Sequence, residues 1–422
     1  MNRNLIFLTM SRSTADINSS GIYPDLLRYF IKQGFNIFVV MPNERSLGLP
    51  TKLTDSANVH ILGVRTLNLQ KTNVIEKGLG QVLVENQYKK AIKKYLSDVK
   101  FDLILYSTPP ITFPKVIAYL KRQNPQAKTY LLLKDIFPQN AVDLGMMSKT
   151  GVKGMLYRFF RKKEIALYKA SDFIGCMSPA NVEFLLKHND FIKKEQVEVA
   201  PNSIELCHTE STEITEMKAK ASVEKNYIRR KYKLPMDKPI FIYGGNLGKP
   251  QGIEYLIKCL EMNKNRGDCH FVVVGTGTEY PRLEAWYQEN VKIKECNNGG
   301  FCVTLMKGLP KADYDMLVSS CDVGLIFLDH RFTIPNYPSR LLSYLENKMP
   351  VICATDPNTD IGRIAEKNGY GVWCESVRPE DFTTLVTKMV ETDRKAMGER
   401  GYEFLKNNYL VEHTYNAIMK HF

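Results

Sequence analysis

One stretch restricts the folds open to this chain more than any other. From Val323 to Leu328 the sequence is apolar. It then passes through a polar loop with prolines at 335 and 338, enters an amphipathic helix opened by Pro338-Ser339-Arg340, and ends in a second apolar run from Pro350 to Ala354. Strand, loop, helix, strand is the unit of an open α/β sheet, in which ligands collect beyond the carboxyl ends of the strands. A helix starting there offers free backbone N–H groups and a positive dipole end to an anion. Ser339 and Arg340 add a hydroxyl and a guanidinium fork, which suits a diphosphate. The same residues also start helices well in their own right, with Arg340 then on a solvated face.

A chain of 422 residues exceeds one ordinary core and fits two domains. The formal charge of +13, from 58 Lys and Arg against 45 Asp and Glu, favours an anionic partner: a phosphate-rich ligand, a nucleic acid or an acidic membrane face. The 9 cysteines are scattered without a C-x-x-C pair, which points to a reducing cytoplasm and suggests no metal site. The opening MNRNLIFLTMSRS has an apolar run too short for a secretory signal, and no run reaches the ~18–20 apolar residues of a membrane span. Any membrane contact is therefore expected to be peripheral.

The α/β alternation begins at once. Residues 5–10 read as a strand, 22–33 as a helix with Ser20 as its cap and Pro24 in its first turn, and 35–41 as the next strand. The loop SRSTADINSSG lies at the functional end of that unit and lacks a G-x-G-x-x-G dinucleotide fingerprint. Lys89, Lys90, Lys93 and Lys94 recur at helical spacing within 74–96, either as a basic face for acidic lipid or as a solvated helix face. Strand 101–107 runs into Thr108-Pro109-Pro110, a rigid loop, and strand 129–134 runs into Asp135. Asp135 is a site candidate by its place at the sheet edge, with a helix cap before Pro138 as the structural alternative. Residues 151–169 interleave Met155, Leu156, Phe159, Phe160, Ile165 and Leu167 with Lys153, Arg158, Arg161, Lys162 and Lys163. That suits an interfacial helix on anionic headgroups, or a helix packed on the sheet with its basic residues outward.

Composition turns polar over 207–238, where the domain boundary is expected. Beyond it strands are expected near 240–243, 270–274, 301–305, 322–327, 350–353 and 370–373, each followed by a helix. Two of these run into glycine turns, at Gly244, Gly245 and Gly248 and again in VVVGTGTE at Gly275 and Gly277. Glycine allows close backbone approach to an anion, and such loops together point to a nucleotide-diphosphate site.

With these loops in view the chain resembles the family-4 glycosyltransferases of the GT-B fold, in the bacterial branch that builds O-antigen and capsule. The resemblance rests on the Pro-Pro loop, KDIFPQ with Asp135, PNSIE, GGNLGKPQG, VGTGTE, LMKGLPKADYDMLVSSCDVGLIFL and YPSRLLSYLENKMPVI, in that order. It implies two Rossmann-like, doubly wound α/β domains facing across a cleft, with an acceptor domain over 1–204, a nucleotide-sugar domain over 205–404 and a terminal helix over 405–422 crossing back. It further implies a retaining sugar transfer without metal or other cofactor, from a nucleotide sugar, UDP-linked, to a lipid-linked saccharide at the cytoplasmic face of the membrane, with no nucleic-acid partner.

By the same resemblance Asp135 positions the acceptor or acts as base, and Ser20, Gly21, Thr108 and Pro109 lie on the acceptor side. The donor side takes Gly245, Asn246, Gly248, Gln251, Gly275, Gly277, Lys307, Ser339, Arg340, Leu341, Ser343 and Glu346. This chain departs from the family pattern in three places. Asn246 and Gln251 stand where Arg and Lys are common, which raises the share of Arg340, with Lys249, Lys307 and Arg331 in reserve. Pro335 and Ser343 stand where a glutamate pair is common, so the ribose falls to Ser343 or Glu346. His60 and His188 do not match the histidine many relatives place near the sugar. Asp313-Tyr-Asp315 has the letters of a D-x-D metal motif and reads as helix capping. A UDP-sugar epimerase of the same fold and a basic-surface binding protein without catalysis are the alternatives.

Overall fold

The computed structural model describes residues 3–69, 74–206, 225–297 and 300–422. The chain divides into two compact units, Met1–Glu205 with Tyr409–Phe422, and Leu206–Asn408. The return to the first unit therefore falls at Tyr409, and the polar segment 207–224 is outside the described residues.

In the first unit eight strands form one sheet in the order β3-β4-β2-β1-β5-β6-β7-β8. They are β1 (Arg3–Leu8), β2 (Phe35–Glu44), β3 (Lys52–Ser56), β4 (Val59–Thr66), β5 (Leu103–Ser107), β6 (Lys128–Leu133), β7 (Phe173–Cys176) and β8 (Val197–Val199). All pairings are parallel except β3 with β4. In β1, β5 and β6 nearly every side chain is buried, as continuous apolar runs require when helices cover both faces of a sheet. The helix Val411–Met419 packs on the helix Ile22–Lys32, with the rings of Phe30 and Tyr415 4.9 Å apart.

The second unit has six parallel strands in the order β11-β10-β9-β12-β13-β14. They are β9 (Ile240–Asn246), β10 (His270–Thr276), β11 (Val303–Lys307), β12 (Val323–Phe327), β13 (Val351–Thr355) and β14 (Gly371–Glu375). Relabelled within the unit this is 3-2-1-4-5-6, the doubly wound order whose reversal lies between β9 and β12. Both faces of these strands are buried, with Phe241, Phe271, Val273, Leu325 and Ile352 on one and Ile242, Val272, Ile326 and Cys353 on the other.

Several local expectations are corrected. Ser20 does not cap the first helix; Gly21 holds the N-cap position, and its N–H donates to Asp25 Oδ1 at 2.9 Å. Asp313 and Asp315 do not cap the helix Lys311–Ser319, whose N-cap is Pro310. Asp313 pairs with Lys231 and Asp315 with Lys311, one turn back. The antiparallel hairpin β3–β4 was not read from the sequence, because four of the five residues of β3 are exposed and carry no apolar alternation. Cys176, Cys259, Cys269, Cys302, Cys321, Cys353 and Cys374 are buried free thiols.

The entry into the second unit is fixed by charge. Arg229, on a helix over 225–231, is buried and donates to Asp322 Oδ2 at 2.6 Å; that carboxylate also accepts from Ile240 N at 2.7 Å and ties together the starts of β9 and β12. Removing one partner of a buried pair strands the other, at about 3–5 kcal/mol. Asp322→Ala is expected to lower unfolding free energy by about 3 kcal/mol in urea titrations, and a loss below about 1 kcal/mol would refute the role of this pair.

Candidate functional site

In the second unit the carboxyl ends of β9, β10 and β11 set Gly245, Gly275 and Lys307 side by side in register. A Cβ at Gly275 would lie 1.9 Å from the carbonyl oxygen of Gly245, and one at Gly277 2.1 Å from that of Leu247. These two glycines thus let the two loops pack backbone to backbone, and Leu247 N donates to Thr276 O at 2.9 Å. Gly245 has a left-handed φ of 121°, which favours glycine whatever its surroundings.

Arg340 stands at the first turn of the helix Arg340–Glu346, next to this edge. Its guanidinium carbon lies 4.3 Å from the centre of the Tyr243 ring, and its Nη2 is 3.6 Å from where a Cβ on Gly245 would be. The Nη1 atom is buried without a hydrogen-bond partner, and no carboxylate pairs with Arg340 among the described residues. Tyrosines surround it. Tyr344 donates to Ile242 O at 3.2 Å and accepts from Gly244 N at 3.3 Å. Glycines make room for these rings: a Cβ at Gly244 would sit 2.2 Å from the Tyr314 hydroxyl, and one at Gly324 2.2 Å from the Tyr344 ring. The sequence did not single out Tyr243, Tyr314 or Tyr344: Tyr243 and Tyr344 sit among apolar residues and read as core, and Tyr314 lies between Asp313 and Asp315 in a polar helix start.

The other donor-side candidates divide. Asn246 Nδ2 donates to Gln251 Oε1 at 2.9 Å, and the same oxygen accepts from Gly248 N at 3.2 Å, so these three residues form one closed loop. Ser339 is the N-cap residue and exposed, and its side chain makes no cap bond. Leu341 is buried core; Ser343 and Glu346 lie further along the same helix, half-buried. Of the reserve cations, Arg331 is bound to Asp329 at 2.8 Å, Lys307 lies 5.9 Å from the Tyr280 ring centre, and Lys249 is exposed.

In the first unit Asp135 and Thr108 are brought together. The buried Thr108 Oγ1 accepts from the backbone N–H of Lys134 at 2.9 Å and of Asp135 at 3.0 Å, which joins the loops after β5 and β6. The Asp135 carboxylate accepts from Asn140 Nδ2 at 2.8 Å and does not cap the following helix Gln139–Asp143, whose N-cap is Pro138. Burial pushes its pKa above the usual carboxylate range, against the bonds from Asn140 and the Ile136 N–H. Pro109 is exposed, Ser20 is exposed, and Gly21 begins the helix whose Ile22 and Tyr23 line a small cavity with Lys134.

Lys134 was passed over in the sequence as the end of a strand. Among the described residues its Nζ meets only the carbonyl of Ala200, at 3.3 Å, and burial pushes its ammonium down to about 7. Among the described residues no three His, Cys, Asp or Glu side chains converge as a metal cage would.

Comparison with known proteins bears on both units. Residues 224–404, most of the second unit, match the family described as Glycosyl transferases group 1. A probable glycosyltransferase, WbjE of Pseudomonas aeruginosa, is 22% identical over 415 residues, covering 96% of this chain and 94% of that protein. Two solved structures share the fold. One is described as trehalose-6-phosphate from E. coli bound with UDP-2-fluoro glucose, with a TM-score of 0.71 at 9% identity over 99% of this chain and 98% of that one. The other is WaaG, a glycosyltransferase involved in lipopolysaccharide biosynthesis, with a TM-score of 0.63 at 14% identity over 98% of both chains. The fold is thus that of two-domain glycosyltransferases of the GT-B type, and the second unit is similar to group 1 glycosyl transferase domains.

The Lys134 geometry has a measurable sign. A lysine whose folded pKa lies near 7 binds fewer protons in the native than in the unfolded chain between pH 7 and its ordinary value. Its penalty is therefore in full force below pH 7 and relieved as pH rises. Lys134→Met is expected to flatten the rise of unfolding free energy from pH 7 to pH 9, by well under the ceiling of ~1.4 kcal/mol per pH unit, because the residue is only half-buried. Parallel slopes for the two proteins in urea titrations would refute it.

Proposed function

We propose that this protein is a retaining glycosyltransferase that moves a sugar from a UDP-linked donor to a saccharide carried on polyprenyl diphosphate, in the synthesis of a bacterial surface polysaccharide. The observation that carries this reading is Arg340. A half-buried guanidinium with one nitrogen unbonded and no carboxylate beside it among the described residues is costly to the free protein and fits an anionic ligand. In sugar transfer the bond from the anomeric carbon to the diphosphate breaks, and negative charge grows on the departing phosphate oxygen. A fixed cation at that oxygen stabilises the transition state more than the ground state. Lys307 and the backbone N–H groups of the loops at Gly245 and Gly275 supplement it.

UDP as the nucleotide draws support from the neighbour bound with UDP-2-fluoro glucose. The reading needs no metal, because the diphosphate charge is met by Arg340 and by backbone donors. On the acceptor side Asp135 orients the attacking hydroxyl or takes its proton, and a raised pKa suits a carboxyl that must exchange protons near neutrality. Ser343 or Glu346 is left to bind the ribose.

A lipid-borne acceptor fits the helix Gly151–Lys169. Val152, Met155, Leu156 and Phe159 are 85%, 64%, 50% and 43% exposed on consecutive turns, while Phe160 and Leu167 face the core. Arg158 and Lys162 are exposed beside them, as is Lys149 just before the helix, whereas the acidic Glu164 is buried against Arg161. An apolar ridge edged by cations matches the surface of an anionic bilayer, which supports a position at the inner face of the membrane. The Lys153 side chain lies outside the described residues. Lys89 and Lys93 instead lie 5.9 and 6.0 Å from the Tyr119 ring centre, as on a solvated helix face.

Calorimetric titration with UDP, ADP and GDP, with and without magnesium, tests the donor site: UDP should bind without metal. Hydrogen bonds to a charged group are worth ~1.5–3 kcal/mol, so Arg340→Ala should weaken UDP by about 10- to 150-fold. Unchanged affinity would remove Arg340 from the site. Asp135→Asn should leave UDP binding intact and cut turnover at least tenfold. Interconversion of a UDP-sugar without any acceptor would replace the transferase with an epimerase. Sedimentation with vesicles should show binding that requires anionic lipid and is lost in a Met155→Ser/Phe159→Ser variant; equal binding to neutral vesicles would count against the bilayer as partner.

A further inference from the structure

A cavity of about 280 Å³ opens in the first unit, and none of the residues assigned above lines it. Its floor is one face of three strands. Gly63 of β4 pairs with Met41 of β2 on one side and with Lys52 of β3 on the other, and Ile61 pairs with Thr54. Because side chains alternate along a strand, all of these positions, with Asn43 two residues beyond Met41, point to the same side of the sheet. The 3-10 turn Arg12–Ala15 forms one wall, and Leu49 with Pro50 forms the other.

The depression has a cause in the sequence. Gly63 has no side chain, so the amide of Asn43 settles over it, where a Cβ would lie 2.5 Å from Nδ2. That amide is held at both ends: Nδ2 donates to Pro50 O at 2.8 Å, and Oδ1 accepts from Arg12 Nη1. The same Nη1 donates to Pro42 O at 3.0 Å. Arg12 is thereby fixed at the rim through one nitrogen, with Nε and Nη2 without a partner among the described residues. Lys52 stands on the β3 side, and among the described residues no Asp or Glu lines the cavity. Two cations without a lining acid select an anion, and a guanidinium fork takes a phosphate or a carboxylate equally well. Met41, Ile61, Leu49 and Pro50 give apolar walls, as the C–H faces of a sugar ring require. The volume lies just below the ~300–1,000 Å³ of drug-sized ligand sites, enough for one ring and too small for a nucleotide.

We propose that this cavity binds a single hexose bearing one anionic substituent, a phosphate or a carboxylate, held between Arg12 and Lys52. Binding here does not depend on the transferase reading. Under that reading the ligand is an acidic unit of the acceptor saccharide.

The test is calorimetric titration of the full chain with a panel of hexose 6-phosphates, a panel of hexuronates, the matching neutral hexoses and inorganic phosphate. At least one anionic hexose should bind tenfold or more tighter than its neutral parent and than inorganic phosphate. Lys52→Glu, at the start of an exposed edge strand, should weaken it at least tenfold. Thr54→Trp, which fills the mouth, should abolish it, with melting temperature and UDP affinity unchanged in both variants. Binding confined to the phosphates or to the uronates identifies the anionic group. No binding of any anionic hexose, parity with the neutral sugars, or binding indifferent to both substitutions would overturn the assignment. Failure of UDP to bind would remove the donor reading and leave this result standing.

Discussion

Two arginines of the second unit show how differently a protein can hold a charge. Arg229 is buried against Asp322 and several backbone carbonyls, and its job is finished when the unit has folded. Arg340 has the ring of Tyr243 beneath it, an unbonded nitrogen and no carboxylate. A cation over an aromatic face recovers about 0.5–2 kcal/mol, which does not replace an ion pair. Much of the local architecture follows from keeping that group in place. The missing side chains at Gly244 and Gly324 admit Tyr314 and Tyr344, and the Tyr344 hydroxyl then ties Gly244 and Ile242 of β9 to the carbonyl of Leu325 in β12. A preorganised charge costs stability in the free protein and spares reorganisation when charge develops on a ligand.

The first unit carries a milder form of the same economy. Lys134 and Asp135 are consecutive, both held by backbone N–H bonds to one threonine hydroxyl, and burial pushes the lysine down and the carboxyl up. Both shifts disfavour the charged forms, so the two groups are moved toward neutrality from opposite sides. Such a pair at the carboxyl edge of a sheet is unusual for a purely structural role, because no salt bridge is formed in return among the described residues.

The fold was largely legible in the sequence. Short continuous apolar runs such as FDLILYS and TYLLLK read as strands covered on both faces, and their alternation with amphipathic helices points to parallel sheets. The hairpin β3–β4 was missed for the converse reason: at a sheet edge, pairing is carried by backbone bonds, and the exposed β3 leaves no apolar pattern to read. The glycines stand at and just beyond the ends of β9 and β10, and the structure supplies a reason for them that the sequence did not. Gly275 and Gly277 are required by the close packing of two loops on each other, whatever approaches them from outside. Asn246 and Gln251, read as donors to a phosphate, instead bond to one another.

What the sequence determined by itself was the order of most strands and helices, the division into two units, and the short list of polar residues at strand ends. These depend on periodicity and local propensity, which are written in neighbouring residues. Only the tertiary structure decided which charges are paired and which are not. Arg331, Asp313 and Arg340 look alike as letters near a loop. The first two have partners close by, Asp329 and Lys231, and the third has aromatic rings brought from residues 97 and 26 positions before it and 4 after it. Whether a cation is spent on the fold or kept for a ligand depends on what lies within about 4 Å of it, and sequence distance does not carry that information.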